Sequence, residues 1–216
     1  MLMDFKLDGK TVVVVGGGLE GYRKTKSFID SGAKITVVSA EFSDGIRQLA
    51  EQKRVNLLKA EVNDAQTLFD TLGIRPDVFL AVTNNTKLNA ELVNTAKTAG
   101  SLVYSVDNPA LSDFILPAVA KIGDVKIAVS TSGKSPAMAR ELRQRIESTI
   151  TPDDLLQIEL QAYARSALKS RVKDQKERSR LLGVILNSVD IKQALRKQKL
   201  SEAKEMALKI VLDREE

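Results

Sequence analysis

A glycine-rich turn follows the first apolar run of the chain and has the spacing of a phosphate-binding turn. The run Thr11–Val15 leads directly into Gly16, Gly18 and Gly21, which fit the pattern G-x-G-x-x-G. In such turns the first glycine permits a tight bend, the second lets the backbone approach a pyrophosphate, and the third allows close helix–strand packing. The anion then rests on the helix N-terminus. A purely structural turn is the alternative. The residues predicted to hold the dinucleotide here are Gly16, Gly18, Leu19, Glu20 and Gly21.

The end of the second predicted strand is where an acidic residue usually binds the ribose of NAD. In this chain that place holds Ser39, Ala40 and Glu41. Either Glu41 or Ser39 with backbone groups can serve the ribose. No arginine directly follows the strand to receive the 2′-phosphate of NADP, and Arg47 is further along. We therefore expect NAD over NADP, with these three residues at the cofactor.

A second edge of the cofactor site is predicted after the fourth strand, at Thr83, Asn84 and Asn85. Ligands of open α/β sheets bind beyond the carboxyl ends of the strands, which is where this segment falls. The alternative is that the three residues only cap the following helix. Both roles are compatible.

The chain contains no histidine and no cysteine. This excludes disulfides, thiol nucleophiles, imidazole metal ligands and every catalytic pair built on these residues, and we expect no metal site. Acid–base chemistry must use Asp, Glu, Lys or Tyr. Asp107 ends the fifth predicted strand, on the same sheet edge as the glycine turn, and can act as a general base or orient a substrate. The alternative is an Asp-Asn-Pro turn without chemistry.

Short β-branched runs alternate with amphipathic stretches over the first half of the chain, which predicts a parallel α/β sheet. The predicted strands are Thr11–Val15, 35–38, 55–58, 78–82 and 103–106. Two further runs, 118–122 and 125–130, flank Gly123 and Asp124 and predict a hairpin. A helix follows with Ser135 as its N-cap and Pro136 at its first position.

The composition changes at Pro152, because the remaining residues are rich in helix formers and contain a single glycine, Gly183. Helically spaced apolar residues there predict three or four helices. We predict a Rossmann-like NAD-binding domain at 1–113, a small hairpin-and-helix unit at 114–150 and an all-helical domain at 151–216.

The whole chain has the composition of a globular protein. Of its 216 residues, 43% are hydrophobic and 28% charged, and no apolar run is long enough to cross a bilayer. The net charge of +5 is modest and aromatic residues are 4%, so neither charge nor stacking favours nucleic-acid binding. We expect a soluble cytoplasmic protein that binds neither nucleic acid nor membrane.

Taken together, these segments resemble the precorrin-2 dehydrogenase family, which includes the N-terminal domain of siroheme synthase. The likeness is carried by the motifs in residues 16–24, 32–38, 80–89 and 106–140. The last is the most specific, since it combines Asp107, an Asp-Phe-x-x-Pro run at 113–117 and Ser-x-x-Gly-x-Ser-Pro at 130–136. Glu20 and Gly21 depart from the family, which usually has Val-Ala there.

The resemblance implies NAD-dependent oxidation of precorrin-2 to sirohydrochlorin, with Asp107 matching the family's catalytic aspartate. It also implies a homodimer in which residues 114–150 pair or swap between the subunits. Some members insert ferrous iron into the product, but we expect little or no chelatase activity here. The implied substrate is a polycarboxylate, and the residues expected to bind it are Ser132, Lys134, Ser135 and Arg140, although Ser135 is also explained as a helix cap.

A second function class remains open at this stage. A non-catalytic NAD-sensing regulatory protein would share the glycine turn and would bind nucleotide without turnover. It gives no reason for Asp107 or for the motif at 130–136. The enzyme is therefore the preferred hypothesis.

Overall fold

The computed structural model of the chain describes residues 2–213. They fold as two compact units, one ending at Leu116 and the other beginning at Pro117. The first unit contains the strands β1 (Thr11–Val15), β2 (Lys34–Ser39), β3 (Asn56–Lys59), β4 (Val78–Ala81) and β5 (Leu102–Ser105), the helices α1 (Leu19–Lys26), α2 (Asp44–Glu51), α3 (Ala65–Leu72) and α4 (Thr86–Thr98), and a 3-10 turn (Pro109–Leu111).

The five strands form one parallel sheet in the order β3-β2-β1-β4-β5. This confirms the predicted Rossmann-like sheet; β1 has its predicted bounds and the other four strands differ from theirs by one or two residues. The chain leaves β3 and crosses back to β4, so the order reverses between β1 and β4. Crevices at such a switch point are where α/β sheets bind ligands.

Both faces of the sheet are buried, which explains the continuous apolar runs of its central strands. Side chains alternate between the faces. Val13 and Val15 of β1 pack in the core that includes Leu92 of α4, whereas Val12 and Val14 pack in the core that includes Ile46 of α2. All four valines are at most 1% exposed. The strand that leads into the glycine turn is therefore fixed from both sides.

Over residues 117–213, the second unit contains the predicted antiparallel hairpin and five helices. Its elements are β6 (Ala118–Ile122), β7 (Val125–Val129), α5 (Pro136–Glu147), α6 (Pro152–Arg171), α7 (Gln175–Asn187), α8 (Val189–Arg196) and α9 (Leu200–Leu212). Four helices follow Pro152 up to residue 213, as the composition predicts. Their core is lined by Leu160, Ala164 and Leu168 of α6 among others. The division of this unit into a dimerisation segment and a separate helical domain stays a prediction.

The amino ends of β1 and β4 are joined by a carboxylate. Asp77 Oδ2 accepts hydrogen bonds from the Thr11 backbone N–H at 2.8 Å and from the Thr11 hydroxyl at 2.9 Å. Its other oxygen, Oδ1, accepts one from Lys10 Nζ at 2.9 Å. These donors, with the Thr11 backbone N–H the largest cause, lower the pKa of Asp77 to about 2.

The stability of the first unit should depend on pH through Asp77. Because its pKa is lower in the folded chain, ionised Asp77 stabilises the fold above its ordinary value of 3.8, and this contribution is lost as the pH falls towards about 2. We expect Asp77→Asn to lower the free energy of unfolding at pH 7, by a difference that shrinks between pH 4 and pH 2.

Denaturant unfolding at a series of pH values measures this difference directly. Glu61→Gln, at an exposed position outside the strands and helices, is the matched control and should show no such change. A difference between wild type and Asp77→Asn that stays constant from pH 7 to pH 2 would contradict the assignment.

Candidate functional site

The carboxyl ends of three neighbouring strands bring the predicted cofactor and acid–base residues to one edge of the sheet. The glycine turn follows β1, the Thr83 segment follows β4, and Asp107 follows β5. The turn touches the Thr83 segment, since a β-carbon built on Gly16 would lie 2.4 Å from the Val82 carbonyl oxygen and 3.2 Å from the Thr83 nitrogen. These residues therefore form one continuous candidate site.

Two glycines of the turn are required by the fold. Gly16 has φ +125°, a conformation that side chains rarely adopt, and Val82 leaves no room for a β-carbon. Gly21 lies in the first turn of α1, where a β-carbon would be 1.9 Å from the Gly16 carbonyl oxygen. Both positions account for the close helix–strand packing that the motif predicts.

Gly18 is different, because nothing in the fold demands a glycine there. It is the N-cap of α1 with φ −77°, and a β-carbon would meet no atom within 4 Å. No side chain caps the helix at this position. The first N–H groups of a helix attract anions. An uncapped helix start beside a bare backbone therefore fits the pyrophosphate of a dinucleotide.

The two neighbours of the motif, Leu19 and Glu20, begin α1. Leu19 is 62% exposed. The Glu20 carboxylate is paired with Arg23 at 2.5 Å, three residues further along the helix. The negative charge of Glu20 is thereby partly offset next to a site predicted to bind an anion.

The predicted ribose side lies against the turn. Ser39 ends β2 and is half-buried, while Ala40 and Glu41 are exposed. A β-carbon on Gly17 would lie 2.1 Å from the Glu41 carbonyl oxygen and 2.9 Å from Ser39 Oγ. The Arg47 guanidinium donates through Nε to the Phe42 carbonyl at 3.0 Å, a contact that holds it on the surface of α2.

In the Thr83 segment, two of the three residues have defined structural partners. Asn85 caps α4, because its Oδ1 accepts a hydrogen bond from the Leu88 N–H at 3.1 Å. The Thr83 hydroxyl and N–H both donate to Asn89 Oδ1, at 2.7 and 3.1 Å. Asn84 is exposed between them. The capping alternative therefore applies to Asn85, whereas Thr83 is held by its hydrogen bonds to Asn89 of α4.

Asp107 is an exposed residue whose carboxylate accepts hydrogen bonds from neighbouring side chains. Ser105 Oγ donates to Oδ1 at 2.7 Å and Asn89 Nδ2 donates to Oδ2 at 3.0 Å. The turn that follows is capped by a different residue, since the Ala110 N–H donates to Asn108 Oδ1. Asn108, not Asp107, therefore supplies the side-chain hydrogen bond of the turn, and the Asp107 carboxylate is available to a ligand.

The electrostatics of Asp107 keep it ionised at neutral pH. Burial acts to raise its pKa, but hydrogen bonds from Ser105, Asn89 and Thr86 outweigh burial, so the pKa is lowered overall. A carboxylate has about four lone-pair positions, of which the side chains of Ser105, Asn89 and Thr86 occupy three. The remaining position can accept a proton or an N–H group from a ligand.

The predicted substrate-binding residues lie in the second unit, around the start of α5. Ser135 caps this helix by accepting the Met138 N–H at 3.3 Å. Ser132 and Gly133 have φ of +52° and +80°, so the loop turns sharply before the helix. Lys134 and Arg140 are exposed. The loop thus presents an exposed lysine beside the start of a helix.

The basic residues of α6 and α7 differ in their surroundings. Arg165, Lys169 and Arg178 line a groove of about 790 Å³ between α6 and α7. Arg180 pairs with Glu177 at 2.8 Å, and Arg171 donates to the Ala167 carbonyl at 3.2 Å. Some of these basic side chains are therefore paired within their own helices.

Residues 2–213 contain no group of three or more acidic, histidine or cysteine side chains placed to hold a metal ion. Within the same range, no helix is long and apolar enough to span a membrane.

Sequence reasoning missed two residues at this edge. Asn89 is fully buried and contacts both Thr83 and Asp107. Gly17 falls between the motif glycines, yet its missing side chain is what lets the turn meet Glu41. The sequence signal for Asn89 is a polar residue at a position that helical spacing places on the buried, apolar side of α4, next to Leu88 and four residues before Val93.

Two family models cover this chain. Residues 3–118 match the family described as "Putative NAD(P)-binding", and residues 123–149 match the one described as "Sirohaem biosynthesis protein central". The precorrin-2 dehydrogenase of Methanosarcina barkeri is 36% identical over 185 residues, which are 84% of this chain and 80% of the relative. The chain belongs to the precorrin-2 dehydrogenase family.

Two further proteins define how this family relates to the chain. Siroheme synthase 1 of Aeromonas salmonicida is 30% identical over 203 residues, which are 94% of this chain but 42% of that longer relative. The solved structure of SirC, a precorrin-2 dehydrogenase, shares the fold with a TM-score of 0.74 at 21% identity, covering 97% of this chain and 99% of that one. The fold predicted from the sequence is thereby confirmed.

The contrast between Gly18 and Gly21 generates a paired prediction. We expect the free energy of unfolding of Gly18→Ala to lie within about 1 kcal/mol of the wild-type value, which is the scale of a change of N-cap residue. The same variant should bind NAD at least about 10-fold more weakly. Gly21→Ala should instead lose about 1–3 kcal/mol of stability, because its methyl group overlaps the Gly16 carbonyl.

Thermal unfolding without nucleotide and calorimetric titration with NAD separate the two effects. Gly183→Ala, on α7 with open space around it, is the control for both measurements. Unchanged NAD affinity in Gly18→Ala would show that the turn does not bind the dinucleotide.

Proposed function

We propose that this protein catalyses the NAD-dependent dehydrogenation of precorrin-2 to sirohydrochlorin, a step of siroheme biosynthesis. The observation that carries the proposal is the Asp107 carboxylate, which is hydrogen-bonded by Ser105 and Asn89 on the sheet edge that also holds the glycine turn and the uncapped start of α1 at Gly18. Membership of the precorrin-2 dehydrogenase family supports the substrate.

NAD, when bound, supplies the hydride acceptor of the reaction. The residues that would hold it are the turn at Gly16, Gly18, Leu19, Glu20 and Gly21, the strand end at Ser39, Ala40 and Glu41, and the segment Thr83, Asn84 and Asn85. The N-terminus of α1 binds the pyrophosphate, and Glu41 binds the ribose. This assignment favours NAD over NADP, because an acidic side chain repels a 2′-phosphate.

Asp107 is the proposed catalytic residue. Dehydrogenation releases a proton as well as a hydride, and a positioned carboxylate can take that proton or hold the pyrrole N–H groups of the macrocycle. The lowered pKa makes Asp107 a weak base that is fully charged at neutral pH. Its main contribution is therefore orientation and charge, which matter most next to a substrate that becomes electron-poor.

The loop before α5 is the proposed site for the substrate carboxylates. Ser132, Lys134, Ser135 and Arg140 supply hydroxyl groups and positive charges around a helix N-terminus, which suits an anion. A polycarboxylate needs several such contacts.

We further propose a cytoplasmic homodimer formed through the hairpin and α5. Apolar side chains on these elements are open to solvent in the single chain: Val119 is 55% exposed, Met138 47% and Ile146 42%. Burial of such side chains is the usual driving force of dimerisation. Sedimentation of the full chain tests the dimer.

The alternative of a regulatory NAD sensor has no support among the relatives described above, which carry enzyme names. Insertion of iron into the product is a separate activity that nothing in the described site favours. The proposed function is therefore limited to the dehydrogenase.

Anaerobic incubation with precorrin-2 and NAD, followed by NADH absorbance and the sirohydrochlorin spectrum, tests the reaction. We expect Asp107→Asn to bind NAD with unchanged affinity and to lose about 10²–10³-fold in kcat, the range for removing one group that stabilises developing charge in the transition state. Because the pKa of Asp107 is lowered, wild-type kcat should show no Asp107 titration between pH 5 and 8. Wild-type turnover in Asp107→Asn would contradict the assignment. So would a rise in wild-type kcat between pH 5 and 8 that is absent in Asp107→Asn.

Cofactor choice gives an independent prediction. Glu41→Ala should raise KM for NAD by about 10-fold, the loss of one charged hydrogen bond, while KM for NADP stays constant or falls. Steady-state kinetics with each cofactor measure the ratio, and Glu51→Ala at the exposed end of α2 is the control. Equal changes in KM for NAD and NADP would show that Glu41 does not bind the ribose.

A further inference from the structure

Asn89 is a fully buried amide in a helix face that is otherwise apolar. It lies in the second turn of α4, where Leu88, Leu92 and Val93 are also buried. Burying an amide is costly unless its polar atoms are hydrogen-bonded. An asparagine at this position therefore needs an explanation beyond packing.

The amide uses its full hydrogen-bonding capacity. Oδ1 accepts from the Thr83 N–H at 3.1 Å and from the Thr83 hydroxyl at 2.7 Å. Nδ2 donates to the Thr83 carbonyl at 3.0 Å and to Asp107 Oδ2 at 3.0 Å. The orientation of the amide is fixed by its partners. In a flipped amide, the NH₂ group would face the Thr83 N–H, which is also a donor, and the oxygen would face the Asp107 carboxylate, which is also an acceptor.

Three of these four bonds serve the fold, and the fourth does not. The contacts with Thr83 satisfy its backbone N–H, its carbonyl and its hydroxyl, and Thr83 is half-buried. The Asp107 carboxylate lies at the surface, where water could satisfy it equally well. What the amide adds is a fixed rotation of the carboxylate, since Asn89 holds Oδ2 while Ser105 holds Oδ1 at 2.7 Å.

We propose that Asn89 is a positioning residue for the dehydrogenation: one buried amide holds the Asp107 carboxylate in a fixed orientation relative to the Thr83 segment of the cofactor site. The inference rests on the proposed function and deepens it. Asn89 itself lies beneath the surface and acts through Asp107. The acid–base side and the cofactor side of the site are thereby joined by a single side chain.

The groups that face the Asp107 carboxylate are neutral donors. They are the hydroxyls of Ser105 and Thr86, the amide of Asn89 and the backbone of Asp107 itself. The substitution Asn89→Ala removes one of these donors. The carboxylate becomes both freer to rotate and easier to protonate.

The first test compares Asn89→Ala with Val93→Ala, which removes part of a buried side chain from the same helix without touching Asp107. We expect Asn89→Ala to lose about 10–100-fold in kcat, the usual range for a residue that orients a functional group from behind, and Val93→Ala to keep wild-type kcat. In an Asp107→Asn background, Asn89→Ala should lower kcat by less than about 2-fold. Effects of the two substitutions that multiply would overturn the proposal.

The second test does not use activity. The ¹³Cγ resonance of Asp107 should titrate at a higher pH in Asn89→Ala than in wild type or Val93→Ala, because a donor to the charged form is lost. An unchanged titration would overturn the proposal. Absence of NAD-dependent turnover of precorrin-2 by the wild-type protein would refute the proposed function, and this titration would still decide the role of Asn89.

Discussion

The close approach of three backbone segments at the end of β1 is the constraint on which the rest of this site depends. The glycine turn touches the loop after β2 through Gly17 and the loop after β4 through Gly16, and neither contact leaves room for a β-carbon. Because β1 is buried on both faces, the turn cannot withdraw from these neighbours. The predicted cofactor residues on either side are therefore positioned by contact with the same few backbone atoms.

This constraint also explains why the chemistry of the site is spread over distant parts of the sequence. Parallel strands deliver all their carboxyl ends to one edge, so a side chain after β5 becomes a neighbour of the loop after β4. A buried amide can then join the two. In a chain without histidine, such an arrangement lets carboxylates, amides and hydroxyls perform the positioning that imidazole often provides.

Features set by local patterns could be predicted from the sequence, and features set by contacts between distant segments could not. The strands, the glycine turn and the helix cap at Ser135 each depend on residues that are adjacent in the sequence, and the structure contains them. The family motifs located Asp107, but no local pattern shows that Asn89 reaches it across the fold. Helical spacing predicted helices after Pro152 but not which side of each helix is buried: in α6, Leu160 is buried while the apolar Ile158 is 39% exposed.

The Asp77 link at the amino ends of β1 and β4 has an evolutionary consequence. The same two strands carry a stabilising carboxylate at one end and the candidate site at the other. Substitutions that alter ligand preference can therefore accumulate at the carboxyl ends while the register of the central strands remains anchored from the opposite side. A sheet divided in this way can diversify in substrate without first having to become more stable.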